Sequence, residues 1–119
     1  MALNGNQSLE KRESPRMNWI NPEVQVMIKS PNDNLNVLGW IQNISQGGFK
    51  VKVEISQNLK SLFGKREELH FETLEIFFRL KGDGRVVWIS SNENVAGIKF
   101  DHLDEESKRF IDGFLGIFP

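Results

Sequence analysis

The chain of 119 residues contains no cysteine, only two histidines and no long hydrophobic run. Without cysteine it can form neither disulfides nor thiolate metal sites, which fits a reducing compartment. No apolar stretch approaches the roughly 18–20 residues of a membrane-spanning helix, and the first residues lack a hydrophobic segment of the secretory type. We therefore expect a cytoplasmic protein that does not contact a membrane.

A surplus of basic residues is also missing. Lysine and arginine total 15 against 16 acidic residues, so the formal net charge is −1. Proteins that bind nucleic acid polymers normally carry excess positive charge, and we expect none of that class here. His70 and His102 belong to no spaced metal-ligand cluster, and Ser45 lacks a nucleophile-elbow setting. We therefore expect no enzyme, no metal site and no cofactor.

The length suits one domain with a single core, and 39% hydrophobic with 26% charged residues is a globular composition. Residues 1–17 are polar and show no repeating apolar positions, so we expect a flexible N-terminal arm. Residues 18–119 should form the folded domain.

From residue 24 onward the apolar residues alternate with polar ones, which is the period of β-strands. The runs that fit are residues 24–28, 37–44, 49–53, 69–71, 76–80, 86–89 and 95–100. Turn-forming residues separate them at 30–34, 46–48, 81–84 and 90–94. Six or so short strands without interleaved helices indicate an antiparallel barrel or sandwich, with residues 56–65 ambiguous.

The period changes at the C-terminus, where the sequence predicts a helix. Asp104 is a suitable N-cap, and Gly116 and Pro119 end the segment. One helical stripe is apolar and should pack against the sheet; it comprises Phe110, Ile111, Phe114 and Leu115.

Two short polar clusters stand apart from this framework. The first, Arg12-Glu13-Ser14-Pro15-Arg16, places two guanidinium groups on a segment that Pro15 keeps extended. Arginine can pair bidentately with phosphate, hydrogen-bond guanine and stack on purines.

The second cluster, Asn43-Ile44-Ser45-Gln46-Gly47-Gly48, ends a strand. Strand alternation puts Asn43 and Ser45 on one face and Ile44 in the core. An asparagine amide and a serine hydroxyl suit guanine edges and phosphate oxygens. Gly47 and Gly48 would permit positive φ and close approach of a ligand, and the same residues also suit a tight hairpin.

Together the clusters read RxxxR followed by [DN]xSxxG, which resembles the paired signature of the PilZ domain, a bacterial receptor module for cyclic di-GMP. Residues 84–89 and 95–100 also resemble later strands of that family, and the similarity covers roughly residues 10–115. The resemblance implies a mainly all-β fold, namely a six-stranded antiparallel β-barrel with a C-terminal α-helix. It also implies that the arginine arm and the polar strand face clasp cyclic di-GMP, with Arg12, Arg16, Asn43, Ser45, Gly47 and Gly48 as binding residues; Lys11 and Trp19 are further candidates.

The implied function is a receptor that changes conformation on binding cyclic di-GMP and signals to an unknown downstream protein, as a monomer or a ligand-linked dimer. A ligand-independent PilZ-like adaptor that acts through protein contacts, for example in pilus assembly, is the alternative. An oligonucleotide-binding barrel is a further alternative, but the near-neutral charge disfavours it.

Overall fold

Six antiparallel strands close into a barrel in a computed structural model of the chain, which describes residues 17–30, 36–54, 63 and 68–116. The strands are β1 (Met17–Lys29), β2 (Asn36–Ser45), β3 (Gly48–Val53), β4 (Leu69–Thr73), β5 (Lys81–Ser90) and β6 (Val95–Leu103). A helix, α1 (Glu105–Leu115), follows β6. The predicted six-stranded barrel with a C-terminal helix is confirmed.

The strands are arranged around the barrel in the order β1-β2-β3-β6-β5-β4, and β4 pairs with β1 to close it. Neighbours in sequence form the pairs β1–β2, β2–β3, β4–β5 and β5–β6. The pairing of β3 with β6 therefore joins the first three strands to the last three.

An irregularity in β2 sets which side chains face the core. The register of β2 against β3 shifts between Ile41 and Asn43, so the strict alternation of the strand is interrupted there. Ile41 and Ile44 are both fully buried although they lie three positions apart. This is the effect of a β-bulge, which inserts one residue and reverses the facing of those that follow. Asn43 and Ser45 consequently lie on the face opposite the core, where Ser45 is partly exposed and Asn43 is covered by its neighbours, with 6% of its surface accessible.

The barrel interior is filled by aliphatic side chains and a group of phenylalanine rings. Phe49 of β3 lies edge-on to Phe71 of β4, with ring centroids 5.1 Å apart, and both contact Phe100 of β6. These three strands are distant in sequence, so the ring cluster fixes the barrel across its interior. Phe63 is also buried in this core.

Helix α1 has the ends that its sequence predicts. The Asp104 carboxylate accepts a hydrogen bond from the Ser107 amide, and Gly116 ends the helix in the left-handed conformation with φ of 72°. Ile111 and Leu115 are buried against the barrel. Phe114 is partly exposed, with 38% of its surface accessible, so the predicted apolar stripe is only partly covered.

Two sequence expectations in the β4–β5 region are wrong. Residues 76–80 form no strand but part of a turn, and residues 81–84 belong to β5 rather than to a turn. Gly82 and Gly84 account for the second error, because a Cβ atom on either would lie within 2.3 Å of a β6 carbonyl oxygen. These glycines serve close strand pairing rather than chain reversal.

The Asp104 carboxylate links the helix cap to the β4–β5 turn. Its oxygens also form an ion pair with the Arg79 guanidinium. Partial burial tends to raise the pKa of Asp104, but the hydrogen bonds from Ser107 and Arg79 outweigh it and lower the pKa from 3.8 to about 2. The charged form of Asp104 therefore stabilises the fold.

Replacing Asp104 with alanine removes the cap and the ion pair, so we expect the free energy of unfolding to fall by about 1–2 kcal/mol. Asp104→Asn keeps an oxygen that can cap the helix and loses only the charge of the ion pair with Arg79. It should lower the free energy of unfolding by about 0.5 kcal/mol, because that partly exposed ion pair is screened by solvent. Urea denaturation near neutral pH measures the loss of stability in each variant. If Asp104→Ala and Asp104→Asn lose the same amount, the helix cap does not contribute to stability.

The same pair predicts a pH dependence. Because the folded pKa lies below the unfolded value of 3.8, the contribution of Asp104 is complete above about pH 4 and is lost as pH falls toward 2. The stabilities of the wild-type protein and Asp104→Asn should converge over that interval.

Candidate functional site

A groove of about 610 Å³ crosses the outer face of the barrel over β2, β3, β6 and β5. Four of the sequence-predicted site residues line it, namely Asn43, Ser45, Gly47 and Gly48. The bulge in β2 is what turns Asn43 and Ser45 outward into this groove.

One row of cross-strand neighbours forms the middle of the groove. Asn43 of β2 pairs with Lys50 of β3, Lys50 with Gly97 of β6, and Gly97 with Trp88 of β5. On the other side, Trp19 of β1 pairs with Asn43. Successive strands lie about 4.8 Å apart, so the row brings an amide, an ammonium group and an indole within reach of one ligand.

The indole of Trp88 lies directly over Gly97. A Cβ atom added to Gly97 would approach the indole nitrogen to 2.1 Å, so only glycine leaves room for the ring there. Trp88 is nevertheless 43% exposed, and its outer surface is open to the groove. A ring held against bare backbone with one side open is a platform for stacking a base.

The sequence predicts Trp19 as a candidate ligand contact and does not single out Trp88. The signal that could have placed Trp88 is its β5–β6 register opposite Gly97, since aromatic side chains often cover cross-strand glycines. The backbone of Trp19 lies in the same row, whereas its side chain lies outside the described part of the structure.

The hairpin between β2 and β3 forms one end of the groove. The Ser45 hydroxyl lies 3.3 Å from the Gly47 amide, which donates to it, and 3.3 Å from the Gly48 carbonyl, to which it donates. The Gly47 carbonyl accepts from the Phe100 amide at 2.8 Å. The cluster therefore does form a tight hairpin while it also lines the groove.

The two glycines of this hairpin have different roles, and neither is the predicted one of positive φ. Among the described glycines only Gly116 has positive φ. A Cβ atom on Gly48 would lie 2.1 Å from the Ile98 carbonyl oxygen, whereas one on Gly47 would meet nothing within 4 Å. Gly48 is thus required for β3 to approach β6, and Gly47 leaves the groove open.

The groove carries positive charge. Among the described residues, its lining includes Lys50 and Lys99 and no acidic side chain. A cationic groove with an aromatic platform suits an anionic ligand with flat rings.

The remaining predicted site residues, Lys11, Arg12 and Arg16, lie outside the described residues. Arg16 directly precedes Met17, the first residue of β1, and Met17 pairs with Ser45 in the groove. Within the described ranges there is no group of three or more potential metal-ligating residues, and no helix long and apolar enough to cross a bilayer.

The paired glycines provide a matched stability test. Gly48→Ala should lower the free energy of unfolding by roughly 2 kcal/mol or more, because its methyl group collides with backbone rather than with a mobile side chain. Gly47→Ala should change it by no more than about 0.5 kcal/mol, because the site is open. Thermal and urea denaturation of the two variants measure the losses. A loss in Gly47→Ala as large as that in Gly48→Ala would contradict the prediction.

Comparison with known proteins agrees with the geometry. A sequence model of the PilZ domain matches residues 10–116. Among solved structures, the chain is similar to the PilZ domain with c-di-GMP of YcgR from Escherichia coli, with a TM-score of 0.68, 12% identity, and 89% of this chain and 90% of that chain covered. It is also similar to the Bacillus subtilis inhibitor of motility MotI/DgrA, with a TM-score of 0.59 and 15% identity over 89% of this chain and 50% of that one.

A search of curated proteins finds no match. The family model nevertheless spans the whole barrel, both sequence clusters and the helix. The chain therefore belongs to the PilZ domain family.

Proposed function

We propose that this protein is a receptor for cyclic di-GMP and that the ligand lies in the groove of β2, β3, β6 and β5. The observation that carries the proposal is the convergence of Asn43, Ser45, two lysines and the open face of Trp88 in one cationic groove. Support also comes from the family and from the YcgR neighbour, whose structure contains c-di-GMP.

The ligand's parts match the groove's chemistry. Cyclic di-GMP is a doubly anionic ring with two guanine bases. Trp88 offers a stacking surface for one base, and the Asn43 amide can hydrogen-bond a guanine edge. Lys50 and Lys99 supply cations for the phosphates. The Ser45 hydroxyl and the Gly47 amide lie together at the hairpin end, where a phosphate oxygen can replace their mutual hydrogen bond.

The N-terminal arm supplies the second half of the proposed site. Because Met17 is held beside Ser45, the chain leaves β1 at the groove, and Arg16 is its next residue. Arg12 lies four residues further along and, together with Arg16 and Lys11, would close over the phosphates and guanines. Trp19, in the same register row as Asn43, is a further candidate contact.

Binding would shift the population of arm conformations toward one closed over the groove, and this changed surface would signal to a downstream protein in the bacterial cytoplasm. The proposed role is non-enzymatic, without metal or nucleic acid polymer, and is compatible with a monomer or a ligand-linked dimer. Ordering the arm opposes binding, so we expect a dissociation constant of about 1 μM or somewhat tighter.

Titration calorimetry with cyclic di-GMP tests the arm. Arg12→Ala and Arg16→Ala should each weaken binding by at least about tenfold, because each removes charge-assisted contacts to the ligand. Arg109→Ala is the matched control, since Arg109 is exposed on α1 and does not line the groove. If both arm variants bind cyclic di-GMP with unchanged affinity, the two arginines do not contact the ligand and this part of the proposal is wrong.

The platform has its own test. Trp88→Leu should weaken binding by about 1–3 kcal/mol because the stacked base loses its partner. Gly97→Ala should also weaken binding although it removes no ligand contact, since its methyl group displaces the indole. Calorimetry and tryptophan fluorescence of both variants provide the measurements. Full affinity in Trp88→Leu would place the ligand elsewhere.

NMR spectra recorded with and without cyclic di-GMP distinguish the receptor from the ligand-independent adaptor. On addition of cyclic di-GMP, a receptor of the proposed kind should show amide shifts in residues 10–18 and in the groove. A folded protein that ignores the nucleotide at high micromolar concentration would support the adaptor instead.

A further inference from the structure

The turn between β4 and β5 presents apolar side chains to solvent beside helix α1. Ile76 and Phe77, at the tip of the turn, are 102% and 66% exposed. Phe78 is buried, and its ring lies edge-on to Phe110 and Phe114 of α1, with centroids 4.8 and 5.4 Å apart. Phe114 is itself partly exposed, so the tip and the helix form one apolar area, which we call the turn–helix surface. Contiguous apolar exposure of this kind indicates an interaction site.

The turn is held firmly in place. The Thr73 hydroxyl accepts a hydrogen bond from the Leu80 amide at 3.0 Å and donates to the Phe78 carbonyl at 2.6 Å. Arg79 is joined to the helix cap by its ion pair with Asp104. Because the turn is fixed at its base and against the helix, a partner that covers the tip has little ordering entropy to overcome.

Gly113 is a second feature of this surface, and nothing in the described part of the chain accounts for it. It is an exposed residue inside α1, without the positive φ that would require glycine. A Cβ atom added there would meet nothing within 4 Å. Glycine inside a helix is destabilising relative to alanine. Because Gly113 lies three residues after Phe110, it borders the phenylalanine rings, where a missing side chain lets another backbone approach closely.

The charge around the turn–helix surface is predominantly negative. Residues 72–81 and 104–116 carry six carboxylates and four cations, which gives a net charge of −2 against −1 for the whole chain. Of the cations, Arg79 is engaged by Asp104 and Glu106, and Lys81 pairs in register with Glu72. Lys108 lines a separate hollow on the opposite side of the helix.

These observations select the chemistry of the partner. An anionic membrane surface would be repelled by the acidic rim, and a second copy of this chain would bring the same acidic rim with it. A cationic segment is attracted by the rim, and a helix can bring its backbone close to Gly113. We propose that the turn–helix surface docks a cationic amphipathic helix of a partner protein.

In this arrangement the apolar side of the docked helix covers Ile76, Phe77 and Phe114. Its lysine or arginine side chains extend toward Glu75, directly before the tip, and Glu106, in the first turn of α1. None of these residues lines the groove over β2, β3, β6 and β5. Docking at the turn–helix surface therefore does not depend on the binding of cyclic di-GMP.

An NMR titration without nucleotide is the first test. The probe is a synthetic helix of about 18 residues, with leucine along one face and lysine elsewhere. It should bind with a dissociation constant of about 100 μM or tighter and shift the amides of residues 75–79 and 110–116. Two control peptides should bind at least about tenfold more weakly. One has glutamate in place of every lysine, and the other has the same composition in a scrambled order without an apolar face.

Variants of the turn test the two kinds of contact. Ile76→Ser removes an apolar contact and should weaken binding of the leucine–lysine peptide about tenfold; the residue is fully exposed, so the core stays intact. Glu75→Lys reverses a charge of the rim and should weaken binding about fivefold. Glu93→Lys makes the same change on the exposed β5–β6 turn, at the other end of β5, and should bind as the wild type does.

Gly113→Ala separates docking from stability. Its methyl group enters open space and favours the helix, so the midpoint of thermal unfolding should rise. The same methyl group holds the docked helix away, so peptide binding should weaken at least about threefold. A more stable variant that binds the peptide at full strength overturns the close approach at Gly113 and with it the proposed docking.

The proposal is also overturned if the leucine–lysine peptide does not bind at about 1 mM, or if the control peptides bind equally well. Binding to phosphatidylglycerol vesicles that is lost in Ile76→Ser would assign the surface to a membrane instead. Self-association in sedimentation velocity that is lost in the same variant would assign it to a second copy; either result overturns the proposal. The nucleotide is absent throughout, so this docking can fail while the receptor holds, and the reverse.

Discussion

The pairing of β3 with β6 is the contact on which the barrel and its groove both depend. It is the junction between the first three strands and the last three, and their other junction is the short ladder between β1 and β4. At one end of it, Gly48 lies against the Ile98 carbonyl at a distance that excludes any side chain. The groove crosses this junction, with Asn43 and Lys50 on one side and Trp88 on the other. The groove therefore exists only where β3 and β6 are paired.

The site combines features that each have a separate structural origin. A bulge in β2 turns Asn43 and Ser45 outward while Ile41 and Ile44 stay in the core. A missing side chain at Gly97 lets the Trp88 indole lie flat against the sheet. The described part of the groove lining contains Lys50 and Lys99 and no carboxylate, which gives the lining an excess of positive charge. None of these features alone identifies a ligand, but together they favour a flat, anionic one.

The sequence predicted the fold class, the helix with its caps and the cluster from Asn43 to Gly48, because these depend on local periodicity, capping chemistry and a characteristic motif. The prediction for residues 76–84 was wrong in two ways. Phe77 and Phe78 are typical of strands but lie in a turn, and Gly82 and Gly84 are typical of turns but lie in β5. Only the tertiary pairing shows that these glycines face carbonyl oxygens of β6. Trp88 was not predicted as a site residue, because its cross-strand partner Gly97 becomes visible only once the β5–β6 register is known.

Closure of the barrel also limits how this protein can meet others. Each described strand pairs with a neighbour on both sides over at least part of its length, so the described sheet has no strand that is an edge throughout. Contacts with other proteins therefore depend mainly on side chains of the outer face, the helix and the turns. That restriction gives the few places where large apolar side chains reach the surface a disproportionate share of whatever binding specificity the domain has.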